Sequence, residues 1–274
     1  MARPALRLLK SIRLFTSSRF ITVLGIAALG IAAVGVLGGC SAKNASPSGI
    51  TLDVYATSSL TQAFTRIAHD FESLHPEVKV VLNFGGSATL EKQISEGAPA
   101  DVVAFADTAN IVRLSESKVV NSKSVITFAT NRLAIIVAKG NPKAIKSISD
   151  LARADVVLVL CEIAQPCGKN AATALERAKV VVEPASLELN VSGVVQKVVS
   201  GEADAGVAYI TDALATNSEI DHVEIPSSIN IANLYPIGIV SKITRAENNA
   251  ASDFINFVVG DGATILRKFG FGAP

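Results

Sequence analysis

Five short stretches of this chain set a small hydroxyl or a bare amide at the front of an expected helix, with no charged side chain beside it. They are A-T-S-S-L at residues 56–60, F-G-G-S-A-T-L at 84–90, Q-P-C-G at 165–168, N-V-S-G at 190–193 and G-V-A-Y at 206–209. A helix N-terminus leaves up to four backbone N–H groups unpaired and carries about half a positive charge. Several such termini aimed at one point make an anion site that needs neither Lys nor Arg. Reversible capture of a dianion suits such a site better than catalysis does.

Other chemistries find less support. His69, His75 and His222 lack metal-ligand spacing, and the first two lie at the end of one expected helix, where a solvated imidazole is the ordinary state. There is no G-x-S-x-G, H-E-x-x-H, P-loop or dinucleotide fingerprint. Tyr55, Tyr209 and Tyr235 are too scattered to build a ferric-iron site. Asp101, Asp107 and Asp204 recur beside the motifs, yet a carboxylate inside a dianion site repels its ligand, so they read as structural. Taken singly, each serine is more often just an N-cap, the Gly-Gly-Ser only a turn and the tyrosine a half-buried strand residue. Their shared type and location carries the anion reading.

The elements that would position these groups alternate. Residues 50–56 read as a buried strand; Leu60, Phe64, Ile67, Ala68, Phe71 and Leu74 then fall at helical spacing until His75-Pro76. Residues 78–84, 102–106, 133–138, 156–160 and 205–209 read as further strands, and 89–96, 169–178, 191–200 and 253–259 as helices. This pattern predicts an α/β fold with mostly parallel sheets covered on both faces. Ligands of such sheets bind at the carboxyl ends of the strands. Ser59 opens the first long helix, and Ser87 follows the second strand after Gly85-Gly86, where the backbone can approach a ligand closely. Val191 sits in the first turn of a later helix, and Tyr209 ends a strand. No internal repeat is visible.

The N-terminus says where this happens. Arg3, Arg7, Lys10, Arg13 and Arg19 precede an apolar run over residues 20–37, the pattern of a secretory signal. Its length also approaches that of a membrane span, so an uncleaved anchor is the competing reading. Leu37-Gly38-Gly39-Cys40 resembles a bacterial lipobox, in which Cys40 is acylated and becomes the first residue. Residues 1–39 are then a signal peptide, and 40–49 a polar, flexible tether. Removing the five basic residues ahead of Cys40 from 25 leaves 20 against 24 acids, a net charge of −4. Such a chain neither steers anions from afar nor offers nucleic acid a basic face. Cys161 and Cys167, in an exported domain, read either as a C-x5-C disulfide or as two free thiols.

S-S-L-T-Q-A-F at 58–64, the block at 84–107 and S-G-E-A-D-A-G-V-A-Y-I-T-D-A at 200–213 resemble the molybdate-binding proteins of bacterial molybdate ABC importers, and the likeness runs from about residue 50 to the C-terminus. The resemblance implies a two-lobed periplasmic-binding-protein-like α/β fold of type II, each lobe a mixed, mostly parallel sheet flanked by helices. Lobe 1 would hold 50–128 with 240–274 and lobe 2 would hold 129–239, with crossings near 128–131 and 237–240. It also implies oxyanion donors at Ser59, Ser87, Cys167 (main chain), Val191 (main chain) and Tyr209. Cys167 stands where relatives have a small residue, and Gly85, Gly86 and Ala88 leave few hydroxyls around Ser87. The function so implied is a monomeric lipoprotein that passes molybdate, and tungstate with it, to an importer's permease and ATPase, without a cofactor and without turnover. Any molybdenum would be held only as its oxyanion. Sulfate or phosphate capture, and a lipid-anchored serine hydrolase, are the rivals. Ser does not ionise near neutrality and Tyr does so only near 10, so affinity is expected to stay flat from about pH 6 to 8.5.

The export reading is checked by intact-mass analysis of membrane-extracted protein. A chain beginning at Cys40 with added acyl mass is expected; one still carrying Met1 overturns it.

Overall fold

The computed structural model describes residues 49–274; the expected signal peptide, Cys40 and the expected tether as far as residue 48 lie outside the described residues. Strands and helices follow in the order β1 (Ile50–Thr57), α1 (Thr61–Leu74), β2 (Val78–Gly85), α2 (Ser87–Ser95), β3 (Val102–Ala104), α3 (Thr108–Glu116), β4 (Ile126–Ala138), β5 (Leu158–Cys161), α4 (Pro166–Ala178), β6 (Ser186–Glu188), α5 (Val191–Val199), β7 (Ala205–Tyr209), α6 (Ile210–Ala215), β8 (Ile220–Glu224), β9 (Ala232–Ile239), α7 (Arg245–Val259) and α8 (Asp261–Lys268). Among the described residues, no helix is long and apolar enough to cross a membrane.

One hydrogen-bonded path runs β2-β1-β3-β9-β4-β7-β5-β6, with β8 also paired to β4. It has two halves. In the first, β1 lies between β2 and β3, all parallel, and β3 meets β9 antiparallel. In the second, β5 lies between β6 and β7, all parallel, and β7 meets β4 antiparallel. The same strand order is thus built twice from sequences that share no visible repeat. Strand β4 joins the halves: Ile126–Arg132 pairs with β9, whereas Leu133–Ala138 pairs with β7 and β8.

This pairing corrects part of the expected domain scheme. Along Ala232–Ile239, β9 pairs with β3 and with the first part of β4, so the second passage between the halves comes before Ala232 rather than near 237–240. The apolar run at 234–239 would read alike in either half, so composition could not place it. The strands β6 and β8, too short or too polar to stand out, also escaped the sequence pattern.

Each connecting helix buries one stripe. Helix α1 turns Phe64, Ile67, Ala68 and Phe71 inward and ends at His75, whose ring stacks on Phe71. Aromatic rings link the core from the first half towards the junction: Phe71 meets Phe254, Phe254 meets Phe64, Phe64 meets Phe128, and Phe128 meets Tyr235. Asp101, Asp107 and Asp204 each accept a backbone N–H, from Asp53, Asn110 and Val157 respectively, so all three hold backbone in place.

Phe64 is fully buried at the centre of this chain of rings. Phe64→Ala is expected to lower the unfolding free energy by about 3–5 kcal/mol, read as an earlier urea midpoint with an unchanged slope.

Candidate functional site

All six parallel strands end on one side of the molecule, and a small cavity sits where they converge. From the first half its wall takes Thr57 and Ser58 after β1, Gly86 and Ser87 after β2, and Ala106 after β3; from the second it takes Gln165, Pro166 and Cys167 after β5, Asn190 and Val191 after β6, and Tyr209 at the end of β7. No residue of this wall carries a formal charge. The cavity measures about 10 Å³, about enough for a single water.

Neutral donors face this space, and their partners free their protons for it. Ser87 Oγ accepts the Ala106 N–H at 3.1 Å, and Tyr209 Oη accepts from Asn233 Nδ2 at 2.8 Å. With an acceptor lone pair used on each, the hydroxyl proton remains available to a ligand. Burial holds the Tyr209 hydroxyl well above the usual tyrosine value, so it stays a donor. Ser58 Oγ is the one buried side-chain polar atom among the described residues that lacks a hydrogen-bond partner. A buried hydroxyl without a partner costs about 1–3 kcal/mol, which a ligand oxygen would relieve.

Helix starts add main-chain donors. Helix α2 begins at Ser87 behind Gly86, which has no side chain to cap it. Helix α4 begins with Pro166, which has no N–H, so Cys167 supplies its first amide. At α5 the Asn190 side chain caps the Gly193 N–H at 3.0 Å and leaves the Val191 amide in the uncapped first turn. A disulfide joins Cys161 to Cys167, with Cα atoms 5.8 Å apart, and ties the end of β5 to the first turn of α4. At Gly168 any side chain would collide with the Glu162 carbonyl, so the loop between the cysteines packs directly on the helix start.

Four of the five expected site residues, Ser87, Cys167, Val191 and Tyr209, therefore line one cavity, whereas Ser59 does not. Its hydroxyl shares a 2.9 Å hydrogen bond with Tyr235 Oη, and Ser58 takes its place on the wall. Residues Ser58–Leu60 form a 3-10 turn and α1 begins only at Thr61. A turn of three residues rather than 3.6 rotates each side chain further about the axis, so the serine facing the cavity shifts by one. Gln165 and Asn233 were also missed; each acts through partners distant in sequence.

The expectation of a pH-flat affinity meets one group that the sequence did not single out. Asp212, at the start of α6, accepts the Tyr209 N–H at 3.1 Å, and burial pushes its carboxyl up to about 7. A titrating group thus adjoins the site.

The profile of a family described as bacterial extracellular solute-binding protein matches residues 52–272. The molybdate-binding protein ModA of Mycobacterium tuberculosis is 34% identical over 256 residues, which cover 91% of this chain and 97% of that protein. Among solved structures, the periplasmic molybdate-binding protein of Azotobacter vinelandii shares the fold with a TM-score of 0.72 at 19% identity, covering 81% of this chain and 99% of its own. The sulfate-binding protein SubI of Mycobacterium tuberculosis gives 0.70 at 20%, covering 81% and 86%.

The Asp212 carboxyl is neutral below about pH 7 and charged above it. A dianion in the cavity disfavours the charged form, so binding tightens as pH falls through 7 and weakens as it rises. Affinity for an oxyanion is expected to decline from pH 6 to 8.5, and Asp212→Asn to flatten the profile. Calorimetric titration at three pH values checks this, and a flat parent profile overturns it.

Proposed function

We propose, for a chain that belongs to the bacterial extracellular solute-binding protein family, that it captures molybdate, and tungstate with it, outside the cell membrane and delivers the anion to an ABC importer. The observation that carries this reading is the uncharged cavity at six strand ends, lined by Ser58, Ser87, Cys167, Val191 and Tyr209. The likeness to ModA supports the choice of ligand. Capture needs no cofactor. The chain acts as a monomer, tethered to the outer face of the membrane by acylated Cys40.

The donor set also bears on the rivals. Phosphate retains a proton over much of the neutral range and needs an acceptor for it; the cavity wall holds no carboxylate, so phosphate is the poorer guest. Sulfate is fully deprotonated like molybdate, and only the spacing of the donors separates the two. A serine hydrolase needs a base within hydrogen-bond reach of its nucleophile. The Ser87 hydroxyl instead meets a backbone N–H, and no histidine lines the wall. This favours a reading of binding without turnover.

Titration of the mature chain with molybdate, tungstate, sulfate and phosphate tests the assignment. At molybdate about 100 times its dissociation constant, the folded state gains roughly 2.7 kcal/mol and the melting temperature rises. Ser58→Ala and Ser87→Ala are each expected to cost about 1–3 kcal/mol of binding. A melting temperature that responds to phosphate and not to molybdate overturns the ligand.

A further inference from the structure

Helix α2 starts in the first half of the molecule with no cap of its own, and a side chain of the second half caps it. Gln165, only 3% exposed, reaches across the cavity wall. Its Oε1 accepts the Ala88 N–H at 3.2 Å, and its Nε2 donates to Thr89 Oγ1 at 2.9 Å. Both partners lie in the first turn of α2, where amides have no intrahelical acceptor. Any side chain at Gly86 would collide with Gln165 Oε1 and with the Leu189 carbonyl, so the glycine keeps the passage open for this contact. On the other side, the disulfide between Cys161 and Cys167 closes a short loop around Gln165 and holds it against α4.

We propose that Gln165 is a closure latch: a positioning residue that caps α2 from the opposite half and sets how long a captured anion is retained. This rests on the solute-capture reading above. Both of its hydrogen bonds exist only while the halves are together, so they add to the stability of the closed arrangement and to nothing else. Because Gln165 is neutral, it does so without placing charge beside a dianion. Loss of an N-cap shifts a folding equilibrium by about fivefold. The same factor here falls on the closed-to-open ratio and, through the competent fraction, on the affinity for every anion alike.

Two variants separate the latch from a merely structural role. Gln165→Ala removes both bonds. Gln165→Glu keeps an acceptor for the Ala88 N–H and for Thr89 Oγ1, but sets a carboxylate in the cavity wall. Fluorophores on unnatural residues at exposed Lys92 in α2 and Glu176 in α4 report the separation of the halves in ligand-free full chain, and stopped-flow mixing with molybdate reports the rates. Gln165→Ala is expected to lengthen the ligand-free separation and to speed molybdate release about fivefold, with little change in association. Gln165→Glu is expected to keep the parent's separation while its affinity for molybdate and sulfate collapses. A Gln165→Ala chain with the parent's separation and release rate overturns the latch, as does a Gln165→Glu chain as open as Gln165→Ala. Should the alanine chain not fold, the glutamate variant decides alone: parent-like separation with lost affinity supports the latch, and parent-like affinity overturns it. If the parent binds no dianion, the capture reading fails, while the label distances still decide whether Gln165 holds the halves together.

Discussion

Several helix starts meet around a space about the size of one water molecule, and electrostatics opposes that arrangement when nothing offsets it. Each start carries about half a positive charge. The chain sets no carboxylate in the wall to balance them. It uses instead a neutral amide oxygen, from Gln165, on one of the exposed amides. The remaining donors stay directed at the cavity, with Ser87 and Tyr209 fixed by partners that occupy their acceptor side. The rest of the structure follows from keeping these dipoles together. They lie on opposite halves of a path joined through β4, so the halves must meet for the site to exist.

The duplicated topology explains how such convergence arises. A parallel strand followed by a helix delivers a helix start at its carboxyl end, and each half repeats the unit three times around a central strand. Facing the two carboxyl edges toward one another needs no further device. What fixes their relative position is a buried polar network at the junction. Asn131 Nδ2 donates to Thr211 Oγ1 and to Tyr235 Oη, and Tyr235 Oη in turn meets Ser59. Ser59 is thereby tied to this network, joining the turn ahead of α1 to β9.

How much of this the sequence disclosed depends on the range of the interaction. Ser87, Val191 and Tyr209 were legible because strand, turn and helix lie together in the chain and set the side chain's position locally. The choice between Ser58 and Ser59 was not, since a 3-10 turn and an α-helix give the same residue pattern with a different azimuth. Gln165 and Asn233 were hidden for another reason: their partners lie 77 and 127 residues away, at Ala88 and Ala106. The raised Asp212 carboxyl belongs with them, because desolvation is a property of the assembled surroundings. Strand–helix alternation likewise gave the fold class, while the assignment of β9 to the first half rests on pairings that composition does not encode.

Neutral donors also resolve an apparent conflict between the site and the whole molecule. Counted from Cys40 onward the chain carries a net charge of −4, so its long-range field does not draw in a dianion. A buried lysine or arginine would strengthen attraction, but its desolvation in a cavity this small would cost several kcal/mol whenever the anion is away. Hydroxyls and amides carry a far smaller penalty, and Gln165 lowers it further while the halves are closed. Their attraction is short-ranged and is felt only once the anion has shed water and fitted between them. Discrimination then rests on the spacing of fixed donors rather than on charge.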